Sequence, residues 1–307
     1  MCEGVKRMTA PRQVLPGSTY LVTRRCSQRQ LLLRPSQVTN QTVGYLLALA
    51  ASRFQVEVHV FCVMSNHLHL VVTDPEARLP AFIQFFDSLV ARSMNAWLAR
   101  WENFWAPTSY SAVALHGPAD VVDKSAYVLA NPVAAGLVRR GRNWPGLWSA
   151  PEQLGTGLLE FQRPTRFFRA RGASSLPERA CLALVVPPGF DSPDQFRRAL
   201  QDALAAREAA AAADLASQGR GFLGVPRVLA QRPFARPHRH EPRRGLNPRL
   251  ACRDKWRRIQ ALSQLMQFLS DYRAAFLSWR AGSTRVLFPP GTYLMRVLHR
   301  APCLPSG

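Results

Sequence analysis

Lysine is nearly absent from this chain: Lys6, Lys124 and Lys255 are the only three among 307 residues. Yet Lys and Arg together number 40 against 19 Asp and Glu, so arginine carries almost all of a formal charge of +21. A GC-rich genome would explain why Arg replaces Lys, but not why basic residues outnumber acidic ones. Arginine offers a planar fork of donors that matches phosphate oxygens, and each neutralised phosphate releases counterions. The shortage of acid therefore predicts nucleic acid as the partner, with an anionic membrane surface a distant second.

Other absences narrow the class further. The six cysteines, Cys2, Cys26, Cys62, Cys181, Cys252 and Cys303, form no CxxC pair, which removes a four-cysteine zinc site and any disulfide framework. No apolar run approaches the ~20 residues of a membrane span. The opening segment carries Lys6, Arg7, Arg12, Arg24 and Arg25 and lacks the apolar stretch of a secretory signal. No Gly-rich loop follows an expected strand, which sets nucleotide hydrolysis aside. These features predict a soluble, cytoplasmic, nucleoid-associated protein without a membrane partner.

Hydrophobic residues make up 47% of the chain, enough for a sizeable core. Strands are expected over Gly17 to Arg25, Gln55 to Met64, Leu68 to Thr73 and Thr108 to His116. Between them, "SQVTNQTVGYLLALAASRF" reads as a helix with Thr39 or Asn40 as its N-cap, and a long amphipathic helix starts near Leu79. A further helix precedes Pro132, which should end or bend it. The order β-α-β-β-α-β-α predicts an α+β fold: a ferredoxin-like antiparallel sheet with packed helices. Beyond Trp148 the chain changes character, and a division into residues 1–150 and a basic, Pro-interrupted, mainly helical region over 151–307 is expected. Within the latter, Arg220 to Gln260 holds twelve Lys and Arg against two acids, 12 − 2 = +10. Prolines 226, 233, 237, 242 and 248 are expected to keep that stretch extended.

Chemistry concentrates in "HVFCVMSNHLHLVVTD", His59 to Asp74. His67 and His69 are two apart in a strand, so both imidazoles project from one face. If the hairpin turns on Ser65-Asn66, Cys62 stands opposite His69, while His59 points to the other face as a structural histidine. Two imidazoles are too few for a structural zinc site, but suit a catalytic ion that must keep positions open for substrate. Two satisfied polar groups remain the simpler reading of an HxH pair taken alone. In "KSAYVLANPVAAGLV", Tyr127 and Asn131 are four apart and share a helix face. A core tyrosine and a helix-ending asparagine would explain them equally well.

"VMSNHLHLVV", followed some fifty residues later by "YVLANPVAAGLV", resembles the HUH single-tyrosine transposases, above all the REP-associated branch. The opening "PGSTYLVTRR" is similar to the start of that family, and the resemblance spans roughly residues 9–150. It implies an HUH catalytic domain in which His67 and His69 hold a divalent metal, Mg²⁺ or Mn²⁺. Tyr127 would be the nucleophile and Asn131 a third metal ligand, standing where some relatives carry Gln. It implies a metal-dependent enzyme that nicks and rejoins single-stranded or hairpin DNA through a 5′-phosphotyrosine, and a homodimer in which Tyr127 can serve the partner's metal site. The paired arginines Arg24 and Arg25, Arg243 and Arg244, and Arg257 and Arg258 are the expected DNA contacts. Two alternatives stay open: a host-retained DNA-binding relative that no longer transposes, and an unrelated metal-dependent hydrolase.

Overall fold

The computed structural model describes residues 11–107, 110–165, 176–237 and 248–305. Its first half runs β1 (Ser18–Arg25), α1 (Gln37–Phe54), β2 (Glu57–Val63), β3 (His67–Asp74), α2 (Leu79–Trp97), β4 (Ser111–Leu115) and α3 (Pro118–Ala134). The strands lie in the order β2-β3-β1-β4, every pair antiparallel. That is the expected α+β, ferredoxin-like arrangement.

Local chemistry sets the joints. The Ser36 hydroxyl accepts from the Thr39 N–H at 3.1 Å, so α1 is capped upstream of the expected Thr39 or Asn40. The β2–β3 hairpin turns on Ser65 and Asn66, closed by Met64 N–H donating to His67 O at 2.8 Å. The Asp74 carboxylate accepts from the N–H groups of Arg78 and Leu79 at 2.8 and 2.6 Å and so starts α2 directly after β3. Pro132 does not stop α3 at once; the helix runs two residues further, to Ala134.

Both sheet faces are covered. Arg24, on the face of Leu68 and Leu70, reaches Asp87 of α2 at 2.8 Å. The opposite face, which carries His67 and His69, meets α3.

The packing continues through residue 150 without a break. Val63 N–H donates to Leu147 O at 2.8 Å and Ser149 N–H to Phe61 O at 3.0 Å, stitching this segment along β2. The hairpin of β5 (Leu158–Gln162) and β6 (Arg179–Ala183) packs on α1, where Gly44 leaves room for the Phe161 ring. Next, α4 (Pro193–Ser217) lies along α3 and inserts Phe196 and Leu200, both fully buried, into the common core. Burying such side chains stabilises by about 1.5–3 kcal/mol each. Pro226 starts the short α5 (Val225–Leu229) inside the stretch expected to be extended. β7 (Leu250–Ala251) then joins β4 in parallel as a fifth strand. Among the described residues, α6 (Lys255–Arg280) and α7 (Leu294–His299) form a separate small cluster, around Phe288, Met295 and Ala301.

Among the described residues, no helix is long and apolar enough to cross a membrane.

Candidate active site

His67 opens β3 opposite Arg25 of β1, and His69 stands between Thr23 of β1 and Cys62 of β2. Their shared face brings the ring centroids to 4.8 Å at an interplanar angle of 84°. Each ring is oriented by a neighbour through Nδ1. For His69 this is the Thr23 hydroxyl at 2.8 Å; for His67 it is the side-chain oxygen of Asn66 at 2.7 Å. An amide oxygen only accepts, so His67 Nδ1 carries a proton, and the neutral form of this ring has its lone pair on Nε2. Such partners are what fix the tautomer of a metal-binding imidazole. Burial, reinforced by His67 and Arg25, holds the His69 pKa well below the usual range, so that ring is neutral at physiological pH.

Tyr127 comes from α3, which lies across β2 and β3. Its ring stands 5.4 Å from that of His69, centroid to centroid, in an edge-to-face contact. At 40% exposure it is no interior residue. Strand and helix, some sixty positions apart in sequence, thus meet in one chain. Asn131 follows one turn later on the same helix face, half-buried. Among the described residues, no three His, Cys, Asp or Glu groups cluster as a metal site. The histidine pair is therefore accompanied by Thr23, Asn66 and Tyr127 rather than by carboxylates.

His59 departs from simple strand alternation. The β2–β3 register shifts between Val58 and Val60, a bulge that inserts His59 as an extra residue. Its Nε2 therefore lies 2.7 Å from the hydroxyl of Thr73, which by alternation shares the face of His69, and its Nδ1 lies 2.7 Å from Val185 O. Both nitrogens are engaged and the ring is fully buried, so the structural role stands while the expected direction does not. Burial lowers the His59 pKa from 6.5 to about 4. The unfolded chain then takes up the proton first as pH falls, so stability is full above about 6.5 and is lost on the way to about 4. The loss is about 3 kcal/mol at most, from ~1.36 kcal/mol per pKa unit. Urea midpoints measured between pH 7 and pH 4 should fall for the parent and fall less steeply for His59→Asn; parallel slopes would contradict this.

The arginines separate. Arg25 is exposed beside His67. Arg24 faces the other way, paired with Asp87 and lying 5.4 Å from the centre of the Trp105 ring. Burial pushes the Asp87 carboxyl up to about 7 against the pull of Arg24. Arg24 is thus engaged within the fold on the face away from the histidines. Arg257 and Arg258 sit exposed in the first turn of α6, capped by Asp254, with the Arg257 guanidinium beside Gly117 at the start of α3. Arg243 and Arg244 lie outside the described residues.

Sequence reading passed over two further groups. Thr23 is two residues before Arg25 and so shares its face, a signal that strand alternation does carry. Arg207 of α4 has its Cζ 6.0 Å from the centre of the Tyr127 ring. It sits within "ALAAREAAAAA", where nothing local marks it.

No protein-family model matches the chain, and no curated protein matches it in sequence. Solved structures similar to this chain in part include the following two. One is a REP-associated tyrosine transposase bound to a REP hairpin, 19% identical, covering 48% of this chain and 81% of that one, with a TM-score of 0.39. The other is a protein from Deinococcus radiodurans R1 assigned as a transposase, 18% identical, covering 37% and 85%, with a TM-score of 0.27.

Proposed function

We propose that this chain is a transposase-like enzyme that nicks and rejoins single-stranded or hairpin DNA, with Tyr127 as nucleophile. The observation that carries this reading is the half-exposed Tyr127 ring seated against the inner member of an oriented histidine pair. In the proposed step, the Tyr127 oxygen forms a bond to phosphorus and gives up its proton to solvent. The bond from phosphorus to the 3′-oxygen breaks, and that oxygen leaves with the electron pair and takes a proton. The products are a 5′-phosphotyrosine and a free 3′-hydroxyl. Because the phosphodiester is retained, the reverse attack rejoins the strand without ATP.

The donor set fits a divalent cation, with Nε2 of His67 and His69 as ligands and Asn131 as a third group acting directly or through water. Mg²⁺ or Mn²⁺ held there would polarise a non-bridging phosphate oxygen. The edge-to-face contact of Tyr127 with His69 in one chain supports a site built within a single chain, beside the homodimer that the motif resemblance implies.

The arginine surplus supports DNA as substrate, with Arg25, Arg257 and Arg258 as backbone contacts. Incubation with short single-stranded hairpins and Mn²⁺, followed by denaturing electrophoresis, tests the reading: a cleaved strand and a slower protein–DNA species should appear together. Binding without either product would favour a DNA-binding relative.

Replacing both Arg257 and Arg258 by Ala should flatten the plot of log affinity against log salt by about 1.4, at ~0.7 per lost phosphate contact on single strands. An unchanged slope would remove these two arginines from the interface.

A further inference from the structure

Asp123 lies one helical turn before Tyr127 on α3, and three cations converge on its carboxylate. Arg207 Nη2 is at 2.6 Å, Lys124 Nζ at 3.0 Å and Arg253 Nη1 at 3.8 Å. One carboxylate offsets one charge, so the group carries a formal +2 within a turn of the tyrosine. Burial disfavours the ionised Asp123, but Lys124 and Arg207 overcome this and hold its pKa below the usual range. Asp123 therefore stays charged and keeps its grip on Arg207.

A role in docking α4 accounts poorly for this group. Phe196, Leu200 and Leu204 already bury themselves at 0, 0 and 8% exposure and hold the helix in place. Partly exposed ion pairs add little to stability. Asp123 offsets only part of the charge gathered here, and a further anion beside Arg207 would be attracted rather than repelled. The Arg207 side chain is 37% exposed, and its guanidinium lies beside the Tyr127 ring. A guanidinium has five N–H donors, and the contact with Asp123 is made from Nη2 alone.

We propose that Arg207 binds the phosphate that Tyr127 attacks, with Asp123 as the positioning residue that aims it. This rests on the reading of Tyr127 as nucleophile. The histidine pair approaches the phosphate from the sheet, whereas Arg207 approaches from α4 on the side of the phenol. Its charge-assisted hydrogen bonds would strengthen as charge builds on the phosphate oxygens in the transition state. The segment after residue 150 would then contribute a group to the reaction itself, beyond general affinity for DNA.

The test is the single-turnover rate of covalent protein–DNA formation on a single-stranded hairpin at saturating DNA with Mn²⁺. Arg207→Ala should slow it about 100-fold, the effect typical of losing one preorganised donor, with the melting temperature little changed. Arg207→Lys should recover part of the rate, since it keeps the charge and loses the fork. Asp123→Asn should fall between Arg207→Ala and the parent. Arg197→Ala, on the same helix and paired with Asp194, should react at the parental rate. Added guanidinium ion should speed Arg207→Ala and not the parent. A parental rate in Arg207→Ala, or a slow rate that tracks lost thermal stability and is not recovered by Lys, overturns the proposal alone. A parent that forms no covalent species overturns it together with the reading of Tyr127.

Discussion

Tyr127→Phe is expected to abolish strand cleavage and the covalent protein–DNA species, with DNA affinity and metal affinity preserved. The substitution deletes one oxygen and leaves the ring, so the edge-to-face contact with His69 and the neighbouring Arg207 guanidinium persist. At 40% exposure the lost hydroxyl costs at most about 1 kcal/mol of stability, which thermal melting would register as a small shift. Loss of a covalent nucleophile, in contrast, removes the reaction path, and the fall in rate should exceed about a thousandfold. Tyr20 and Tyr110 are the controls. Both are enclosed in the fold, where burial raises their pKa values, and Phe at either position should leave the covalent species intact. Normal cleavage by Tyr127→Phe would move the nucleophile elsewhere. Cleavage by the parent without any covalent species would favour a metal hydrolase that uses water.

His67→Ala and His69→Ala should each reduce cleavage by at least about a thousandfold, the scale of losing the several kcal/mol that a Lewis acid supplies. Chelation of divalent metal should match their effect on the parent. Mn²⁺ binding measured by calorimetry should fall with them. Because His69 is 4% exposed and hydrogen-bonded to Thr23, His69→Gln belongs beside His69→Ala, so that a packing defect can be separated from a lost ligand. Removing Thr23 as His69's partner, by Thr23→Val, should weaken Mn²⁺ binding about 10- to 100-fold through the orientation of the ring. Unchanged Mn²⁺ binding and cleavage in both histidine variants would leave the pair as two satisfied polar groups of the sheet.

Much of this site was legible because its logic is local. Alternation alone puts His67 and His69 on one face, and the short Ser65-Asn66 turn sets Cys62 opposite His69. The helix period puts Tyr127 and Asn131 in line. What escaped depends on contacts between distant segments. The bulge at His59 leaves no residue signature in "EVHVFCV", because an inserted position looks the same as an alternating one. Telling Arg24 from Arg25 required knowing that β3 pairs with β1, which sends the first to Asp87 and the second to the histidine side. Arg207 lies 80 positions from Tyr127 in an Ala-rich helix of ordinary appearance. Its closeness to the site follows only from the packing of α4 on α3. The C-terminal segment looked separate because its prolines and charges differ from what precedes it, yet Phe196, Leu200 and Val228 are buried in the same core as β1–β3.

The most direct test of Tyr127 as nucleophile is to trap the protein on a hairpin substrate with Mn²⁺, digest it, and locate the DNA-bearing peptide by mass spectrometry. The account predicts a 5′-phosphate ester on the Tyr127 oxygen, in the peptide released between Lys124 and Arg139. An ester on any other residue, or a cleaved substrate with every tyrosine unmodified, would contradict it.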